Sequence, residues 1–109
     1  MDREEINFTL LRILDKNPEF TQRDLSKEMG VSLGKVNYCI KKLVEKGWVK
    51  ANNFRNNKDK RSYKYLLTPK GIEEKSKLTI SFLYQKMEEY EILKNEINKL
   101  REDSNKLQS

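Results

Sequence analysis

The residue types that most often carry catalysis are nearly missing from this sequence. Its 109 residues include no histidine and a single cysteine, Cys39. Histidine is the usual metal ligand and the usual proton carrier at neutral pH, and one cysteine forms neither an internal disulfide nor a cysteine-cluster metal site. No glycine-rich phosphate loop occurs, and no nucleophile stands in a pattern that pairs it with a base. The sequence therefore predicts a protein that is not an enzyme and uses no metal or cofactor.

Basic residues are concentrated in the middle of the chain. Residues 21–70 contain 13 basic and 4 acidic side chains. Residues 1–20 contain 3 basic and 5 acidic side chains, and residues 71–109 contain 7 basic and 8 acidic ones. The net charge of +6 therefore arises from a central segment. Such a segment is typical of a protein that binds a polyanion, since each neutralised phosphate releases counterions. A solvated, lysine-rich surface is the alternative interpretation.

Hydrophobic periodicity predicts two helices in the first 30 residues. One apolar stripe indicates a first helix that ends before Pro18, and it consists of Ile6, Leu10, Ile13 and Leu14. A second helix is expected to begin at the cap residue Thr21 and to stop at Gly30. Phe20 and Leu25 have the spacing of a hydrophobic staple around that cap.

A third helix is predicted from the cap residue Ser32 to Gly47. Its buried stripe is expected to comprise Val36, Ile40 and Leu43, with Cys39 and Val44 beside them. The connection to the second helix is three or four residues long and begins with Gly30. This spacing is typical of a helix-turn-helix, although a generic helical hairpin would also fit.

The face opposite that stripe has the residue types of a DNA-reading helix. Asn37 has the donor and acceptor that pair with an adenine edge, and Tyr38 can offer a hydroxyl or contact a thymine methyl. Gly34 would let the backbone approach closely, and Ser32 at the helix start is a natural phosphate donor. The predicted face consists of Gly34, Lys35, Asn37, Tyr38, Lys41 and Lys42, whose lysines would mostly meet phosphates. For each polar residue, plain solvation is the alternative.

Two short strands with a basic connection are predicted after Gly47. Residues 48–51 and 63–67 are rich in aromatic and β-branched residues, and residues 52–62 between them would form a long polar tip, or wing. Arg61 is the side chain expected to enter a minor groove, with Asp59 bracing it. Arg55, Lys58 and Lys60 would contact the DNA backbone. An ordinary mobile loop is the alternative.

A long final helix is expected to begin at the cap Thr68 and Pro69 and to run to about residue 105. It would be about 60 Å long. Its apolar stripe consists of Ile80, Leu83, Met87, Tyr90, Leu93, Ile97, Leu100 and Leu107. A lone helix cannot bury such a stripe, so self-association is predicted, through Leu83, Met87, Tyr90, Leu93, Ile97 and Leu100.

The predicted fold class is mainly α (α+β), with a winged helix-turn-helix domain in residues 1–68 and a coiled-coil dimerisation helix in residues 69–109. No apolar run is long enough to span a membrane, and the first residues do not resemble a signal peptide. A cytoplasmic, nucleoid-associated protein is therefore expected. Cys39 is interpreted as a small core residue, with a redox switch as the alternative. Trp48, Tyr63 and Tyr65 are interpreted as packing residues rather than base-stacking ones.

The run TQRDLSKEMGVSLGKVNYCIKKLVEKGWVK, followed by DKR and LLTPKG, resembles MarR-type winged-helix regulators. It is most similar to the small branch known as exopolysaccharide-associated MarR-family transcriptional regulators. Asp59-Lys60-Arg61 before Leu67-Thr68-Pro69-Lys70-Gly71 matches the family's D-x-R wing followed by L-T-x-x-G. The resemblance implies a homodimer on a pseudo-palindromic DNA site. It also implies recognition by Gly34, Lys35, Asn37 and Tyr38, and wing contact by Arg61 oriented by Asp59.

These observations favour a sequence-specific regulator of transcription that binds double-stranded DNA as a homodimer, with exopolysaccharide genes as candidate targets. A winged-helix adaptor with a coiled-coil scaffold is the alternative, although the central charge of +9 argues against it. Binding of single-stranded DNA or RNA is the last-ranked interpretation, because the sequence shows no exposed aromatic platform on which bases would stack. The sequence does not identify the operator, the sign of regulation, a small-molecule effector or the direction of helix pairing.

Overall fold

A computed structural model of the chain describes residues 1–53 and 63–108. The elements follow the order α1 (Arg3–Lys16), α2 (Gln22–Met29), α3 (Leu33–Glu45), β1 (Val49–Asn53), β2 (Tyr63–Leu67) and α4 (Pro69–Gln108). The two strands form one antiparallel hairpin, with Val49 opposite Leu67 and Asn53 opposite Tyr63. The predicted fold class, mainly α with a two-stranded wing and a long final helix, is confirmed.

The core is built where the three short helices meet the hairpin. Side chains from every one of these elements are buried in it: Ile6, Leu10, Leu11, Leu14, Leu25, Met29, Val36, Cys39, Ile40, Leu43, Val49 and Tyr65. The predicted stripe of α1 was wrong in one position, because Leu11 is fully buried whereas Ile13 is only half-buried. The stripe therefore lies closer to Leu11 than the sequence pattern indicated.

The turn between α2 and α3 is held by a single serine. Gly30 caps α2 in the left-handed conformation, with φ of 67°, and its N–H donates to the Ser26 carbonyl at 3.0 Å. The Ser26 hydroxyl in turn donates to the Val31 carbonyl. Only Gly30, Val31 and Ser32 separate the two helices, which confirms the predicted helix-turn-helix spacing.

The predicted caps of α2 and α3 are also present. Thr21 forms a capping box with Asp24, in which the Thr21 N–H donates to Oδ2 of Asp24 at 2.9 Å and Asp24 N–H donates to Oγ1 of Thr21 at 3.2 Å. Gly47 follows the end of α3 with φ of 75°, as expected for a left-handed terminator. The first strand begins at Val49 rather than Trp48 and continues through Asn53, so it extends further than predicted.

The beginning of α4 is fixed against the corner between α3 and β1. The Thr68 N–H donates to the Trp48 carbonyl at 3.0 Å, while the Thr68 hydroxyl donates to the Gly47 carbonyl and accepts from the Gly71 N–H. A Cβ added to Gly71 would lie 1.9 Å from the Trp48 carbonyl oxygen. The L-T-x-x-G pattern therefore has a structural cause, since Thr68 joins the two segments and only glycine fits at residue 71.

The chain divides into two compact units, residues 1–77 and 78–109. Within the first unit, Lys75 on α4 pairs with Asp15 on α1 at 2.7 Å. The described part of the second unit is helix, and most of its apolar side chains are exposed, from 41% for Ile97 to 88% for Leu107, whereas Leu78 and Phe82 are half-buried. In the described ranges, no helix has the length and apolar character that crossing a membrane requires.

Candidate nucleic-acid interface

Helix α3 presents a polar surface directly opposite its core contacts. Successive residues of an α-helix are about 100° apart, so the buried Val36, Ile40 and Leu43 define an inward direction. The residues that point most directly away from it are Gly34, Tyr38, Lys41 and Glu45, all of which are exposed. Two of the predicted lysines and Asn37 lie on the flanks of the helix instead.

Asn37 lies on the flank of α3 that faces α2. Its Nδ2 donates a hydrogen bond to Oε1 of Gln22 at 3.1 Å, and Nε2 of Gln22 donates to the hydroxyl of the buried Tyr65 at 2.9 Å. This chain of side chains connects α3, α2 and β2. Asn37 keeps a second N–H and its Oδ1, so its amide still has the donor and acceptor that an adenine edge requires.

Tyr38 lies between cations on the side of α3 nearer the beginning of α1. The guanidinium of Arg3 is 5.8 Å from the centre of its ring, and Nζ of Lys42 is 5.6 Å from it. Both distances allow cation–π attraction. The ring is 47% exposed, so the group combines an accessible aromatic surface with two positive charges.

A cleft of about 290 Å³ separates the beginning of α1 from this side of α3. Lys35, predicted to belong to the reading face, contributes to this cleft together with Arg3, Tyr38 and Cys39. Lys35 and Lys42 are thus grouped with Arg3 rather than with Asn37. The structure divides the predicted face into an Asn37 flank, a central surface with Gly34, Tyr38 and Lys41, and a cationic flank. The cationic flank consists of Lys35 and Lys42 with Arg3 of α1, on one side of Tyr38.

Glu45 introduces a carboxylate at the far end of the same surface. Oε2 of Glu45 lies 3.4 Å from Nζ of Lys42, and both side chains are about half exposed or more. An exposed pair of this kind is worth little to stability, but it reduces the positive charge at the end of α3. The first two turns of the helix therefore carry the less compensated part of the surface.

The beginning of α3 has the geometry of a phosphate-binding helix terminus. Oγ of the cap residue Ser32 accepts from the Lys35 N–H at 3.2 Å, which leaves the hydroxyl hydrogen of Ser32 available to an anion. The N–H groups of Leu33 and Gly34 precede the first intrahelical hydrogen bonds. A Cβ at Gly34 would meet nothing within 4 Å, so packing within the protein does not require glycine there.

The remaining residues considered in the sequence analysis differ in how well their positions match the expectation. Val44 was expected beside the core but is 39% exposed, because it lies on the flank of α3. Cys39 is 3% exposed and packs as the small core residue that was predicted. Trp48 is half-buried, with Nζ of Lys46 4.9 Å from its ring centre. The predicted wing contacts lie outside the described residues: Arg55, Lys58, Asp59, Lys60 and Arg61.

Known proteins share this arrangement of helices and wing. A family model described as winged helix-turn-helix DNA-binding matches residues 3–50, which contain α1, α2, α3 and the first residues of β1. The apo form of MarR from E. coli is 29% identical, over 66% of this chain and 52% of that chain, with a TM-score of 0.58. The fold is a MarR-like winged helix.

Two further solved structures contain the MarR-like winged helix. Smu.1704 from Streptococcus mutans UA159 is 21% identical over 79% of this chain and 83% of that chain, with a TM-score of 0.69. The MarR family protein Rv2887 from Mycobacterium tuberculosis, in complex with p-aminosalicylic acid, is 23% identical. The match covers 69% of this chain and 55% of that chain, with a TM-score of 0.58. The chain thus spans about half the length of the M. tuberculosis and E. coli proteins. No curated protein matches the sequence.

Three residues of this MarR-like winged helix were missed by the sequence analysis. Gln22 orients Asn37, Arg3 joins the cationic flank of α3, and Glu45 partly neutralises it. Glu45 could have been found from its spacing, since it lies three residues after Lys42 on the same helix. Gln22 and Arg3 lie on other elements, so only the tertiary packing brings them to α3.

The lowered pKa of Asp24 has its cause in the capping box of α2. Hydrogen bonds from the Thr21 backbone N–H and then the Thr21 side chain hold the pKa of Asp24 below its ordinary value of 3.8, and this shift belongs to the helix cap. Among the described residues, no three of the types His, Cys, Asp and Glu are grouped as metal ligands would be.

Proposed function

We propose that the protein is a transcription regulator of the MarR type that binds double-stranded DNA. The observation that carries this proposal is the polar face of α3, the third helix of a winged helix-turn-helix, which exposes Gly34 and Lys41 and holds the half-buried Asn37 on its flank. A helix in that position enters the major groove in helix-turn-helix proteins. Asn37 supplies base contacts, and the lysines supply phosphate contacts.

The beginning of α3 is proposed to hold a phosphate. Ser32, Leu33 and Gly34 are all exposed at the beginning of α3, and the partial positive charge of a helix N-terminus favours an anion there. The open space around Gly34 leaves room for the DNA backbone to approach. Lys35, Lys42 and Arg3 add positive charge on one flank of this site.

The wing is proposed to extend the contact to a neighbouring minor groove. The sequence predicts insertion of Arg61 with Asp59 as its brace, and backbone contacts by Arg55, Lys58 and Lys60. These residues lie outside the described ranges, and their role rests on charge and on the D-x-R pattern. The strands that lead to them are paired from Val49 to Asn53.

The functional unit is proposed to be a homodimer on a pseudo-palindromic site. Its support is the row of exposed apolar side chains along α4, which include Leu83, Met87, Tyr90, Leu93, Ile97 and Leu100. Each copy would present one α3, and two joined half-sites bind more tightly than two separate ones. Control of exopolysaccharide genes is a further hypothesis that rests on the resemblance, and mapping of the occupied genomic sites tests it.

Selection of bound fragments from random DNA, followed by a salt titration, tests DNA binding against the adaptor alternative. A regulator selects one symmetric motif, and its affinity falls steeply as salt rises. Replacing Lys41 with Ala should reduce the slope of log affinity against log salt by about 1 per subunit if Lys41 meets a phosphate. Lys99→Ala on α4 is the matched control and should leave the slope unchanged. Weak retention on DNA that does not respond to salt would favour the adaptor.

A further inference from the structure

The C-terminal half of α4 has a heptad pattern whose register is offset from that of the upstream half. Between residues 90 and 107 the seam positions fall at alternating spacings of three and four, and all but the serine at residue 104 are apolar or aromatic. Tyr90, Ile97 and Ser104 occupy the a positions, and Leu93, Leu100 and Leu107 occupy the d positions. The stripe through Ile80, Leu83 and Met87 follows a different register, which changes at Tyr90, so residues 89–108 have a heptad pattern of their own.

The charged residues beside this seam are separated by sign. All three g positions are acidic, and they are Glu89, Glu96 and Asp103. Two of the three e positions are basic, Lys94 and Arg101, and the third is the neutral Gln108. All five charged side chains are exposed. No e position is acidic and no g position is basic in this segment.

We infer that residues 89–108 pair with the same segment of a second copy as a parallel, in-register two-stranded coiled coil. This inference rests on the proposed homodimer and specifies its direction. In a parallel pair each g residue faces the e residue of the partner's following heptad, so Glu89 meets Lys94 of the second copy and Glu96 meets its Arg101. In an antiparallel pair g faces g and e faces e, which would place carboxylates together and cations together. Charges at these positions set the orientation of a coiled coil.

The seam residues favour the same arrangement. Parallel dimers prefer a β-branched residue at a and leucine at d, as Ile97 and the three leucines provide. The apolar side chains at these positions are between 41% and 88% exposed in the single chain, so pairing would remove a continuous strip from water. A parallel pair joins the two copies at the same end of the coiled coil, which suits two domains that bind adjacent half-sites.

A disulfide test distinguishes the two directions in the full-length protein. Ser104→Cys places a thiol at an a position, where in-register parallel helices bring the two Cα atoms within the range of about 4.4–6.8 Å that a disulfide requires. We expect a covalent dimer under mild oxidation, while the wild-type chain, whose Cys39 is buried, gives none. A dimeric Ser104→Cys protein that does not cross-link would overturn the parallel register.

Charge reversal at a g position is an independent test, because it should lower dimer affinity in a parallel pair and raise it in an antiparallel pair. Glu96→Lys should weaken dimer affinity about tenfold, because it replaces two attractive contacts with two repulsive ones, and adding Arg101→Glu should restore it. Glu102→Lys makes the same charge change at an outward f position and serves as the control. A Glu96→Lys dimer as tight as wild type or tighter would refute the parallel arrangement, whereas a monomeric wild-type protein would refute the proposed homodimer itself.

Discussion

Nδ2 of Asn37 lies 3.1 Å from Oε1 of Gln22, and this hydrogen bond joins one flank of α3 to the first turn of α2. Gln22 is itself held by the hydroxyl of Tyr65, which is only 6% exposed. The orientation of the Asn37 amide is thus set by two other elements before any ligand arrives. Such preorganisation lowers the conformational cost of binding.

Replacing Gln22 with Ala should therefore weaken DNA binding about tenfold, although Gln22 is not among the proposed DNA contacts. The loss should be concentrated at the base pair that Asn37 reads, and the free energy of unfolding should fall by about 1 kcal/mol for the lost hydrogen bonds. Fluorescence anisotropy with operator variants measures the first effect and urea unfolding the second. Tyr65→Phe removes only the distant hydroxyl and should have a smaller effect on affinity. Equal affinities of wild type and Gln22→Ala for every operator would show that Asn37 needs no support.

Gly34 and Gly71 both lie in the first turn of a helix, and they should respond to substitution in opposite ways. Gly34→Ala meets open space, so stability should stay level or rise by up to about 1 kcal/mol. If the DNA backbone approaches Gly34, the affinity of the Gly34→Ala variant for DNA should be at least tenfold lower than that of wild type. Thermal unfolding and DNA binding on the same sample provide both measurements. Unchanged DNA affinity would remove Gly34 from the proposed interface.

Gly71→Ala should instead destabilise the fold. Its new Cβ would overlap the Trp48 carbonyl oxygen, and relief requires movement of the backbone that joins α3, β1 and α4. Overpacking against backbone costs about 3 kcal/mol. A marked drop in the midpoint of thermal unfolding is expected. A midpoint equal to that of wild type would show that the close approach of α4 to Trp48 is absent in solution.

Aspartate at two seam positions of α4 should separate the copies. The double change Leu93→Asp and Ile97→Asp places charges at positions where the two paired helices would exclude water, so sedimentation should show monomers. The affinity for DNA should fall as well, because a monomer binds only one half-site. Ile92 is comparably exposed, at 53%, but lies at an outward c position. Ile92→Asp should therefore remain dimeric. A dimeric double variant would place the interface elsewhere.

The capping box of α2 should make stability depend on pH in the acid range. Because the folded pKa of Asp24 is lowered from 3.8 by its Thr21 hydrogen bonds, its contribution is complete above that pH and is lost as the pH falls through the lowered value. Asp24→Asn retains an acceptor but does not titrate. The advantage of wild type over Asp24→Asn in urea unfolding should thus be larger at pH 6 than at pH 3. An advantage that does not change with pH would show that the Asp24 carboxylate does not support the cap.

Local patterns predicted most of the architecture, because caps, glycine terminators and helical periodicity act within a few residues. Thr21, Gly30, Ser32 and Gly47 all end or begin helices as expected. The exchange of Ile13 for Leu11 in the core was not predictable, since the two flank the stripe of Ile6, Leu10 and Leu14 on opposite edges and only the packing partners decide between them. Sequence spacing also placed six residues on one face of α3, whereas neighbouring elements divide them.

The partners of the candidate site were the least predictable feature for the same reason. Arg3 and Gln22 are separated in sequence from Tyr38 and Asn37, so no local pattern joins them. The charge excess of the central segment indicated a polyanion but not which cations share a flank. Tertiary contacts supply that arrangement.

Every buried apolar side chain of the described core comes from residues 6–65, and none comes from the stretch beyond residue 77. With the copies paired as proposed, substitutions in that stretch would change which copies recognise each other without disturbing the hydrophobic core of residues 6–65. Under the proposed pairing, duplicated genes would diverge in partner choice through exchange of a few e and g charges, while each product kept the same folded core.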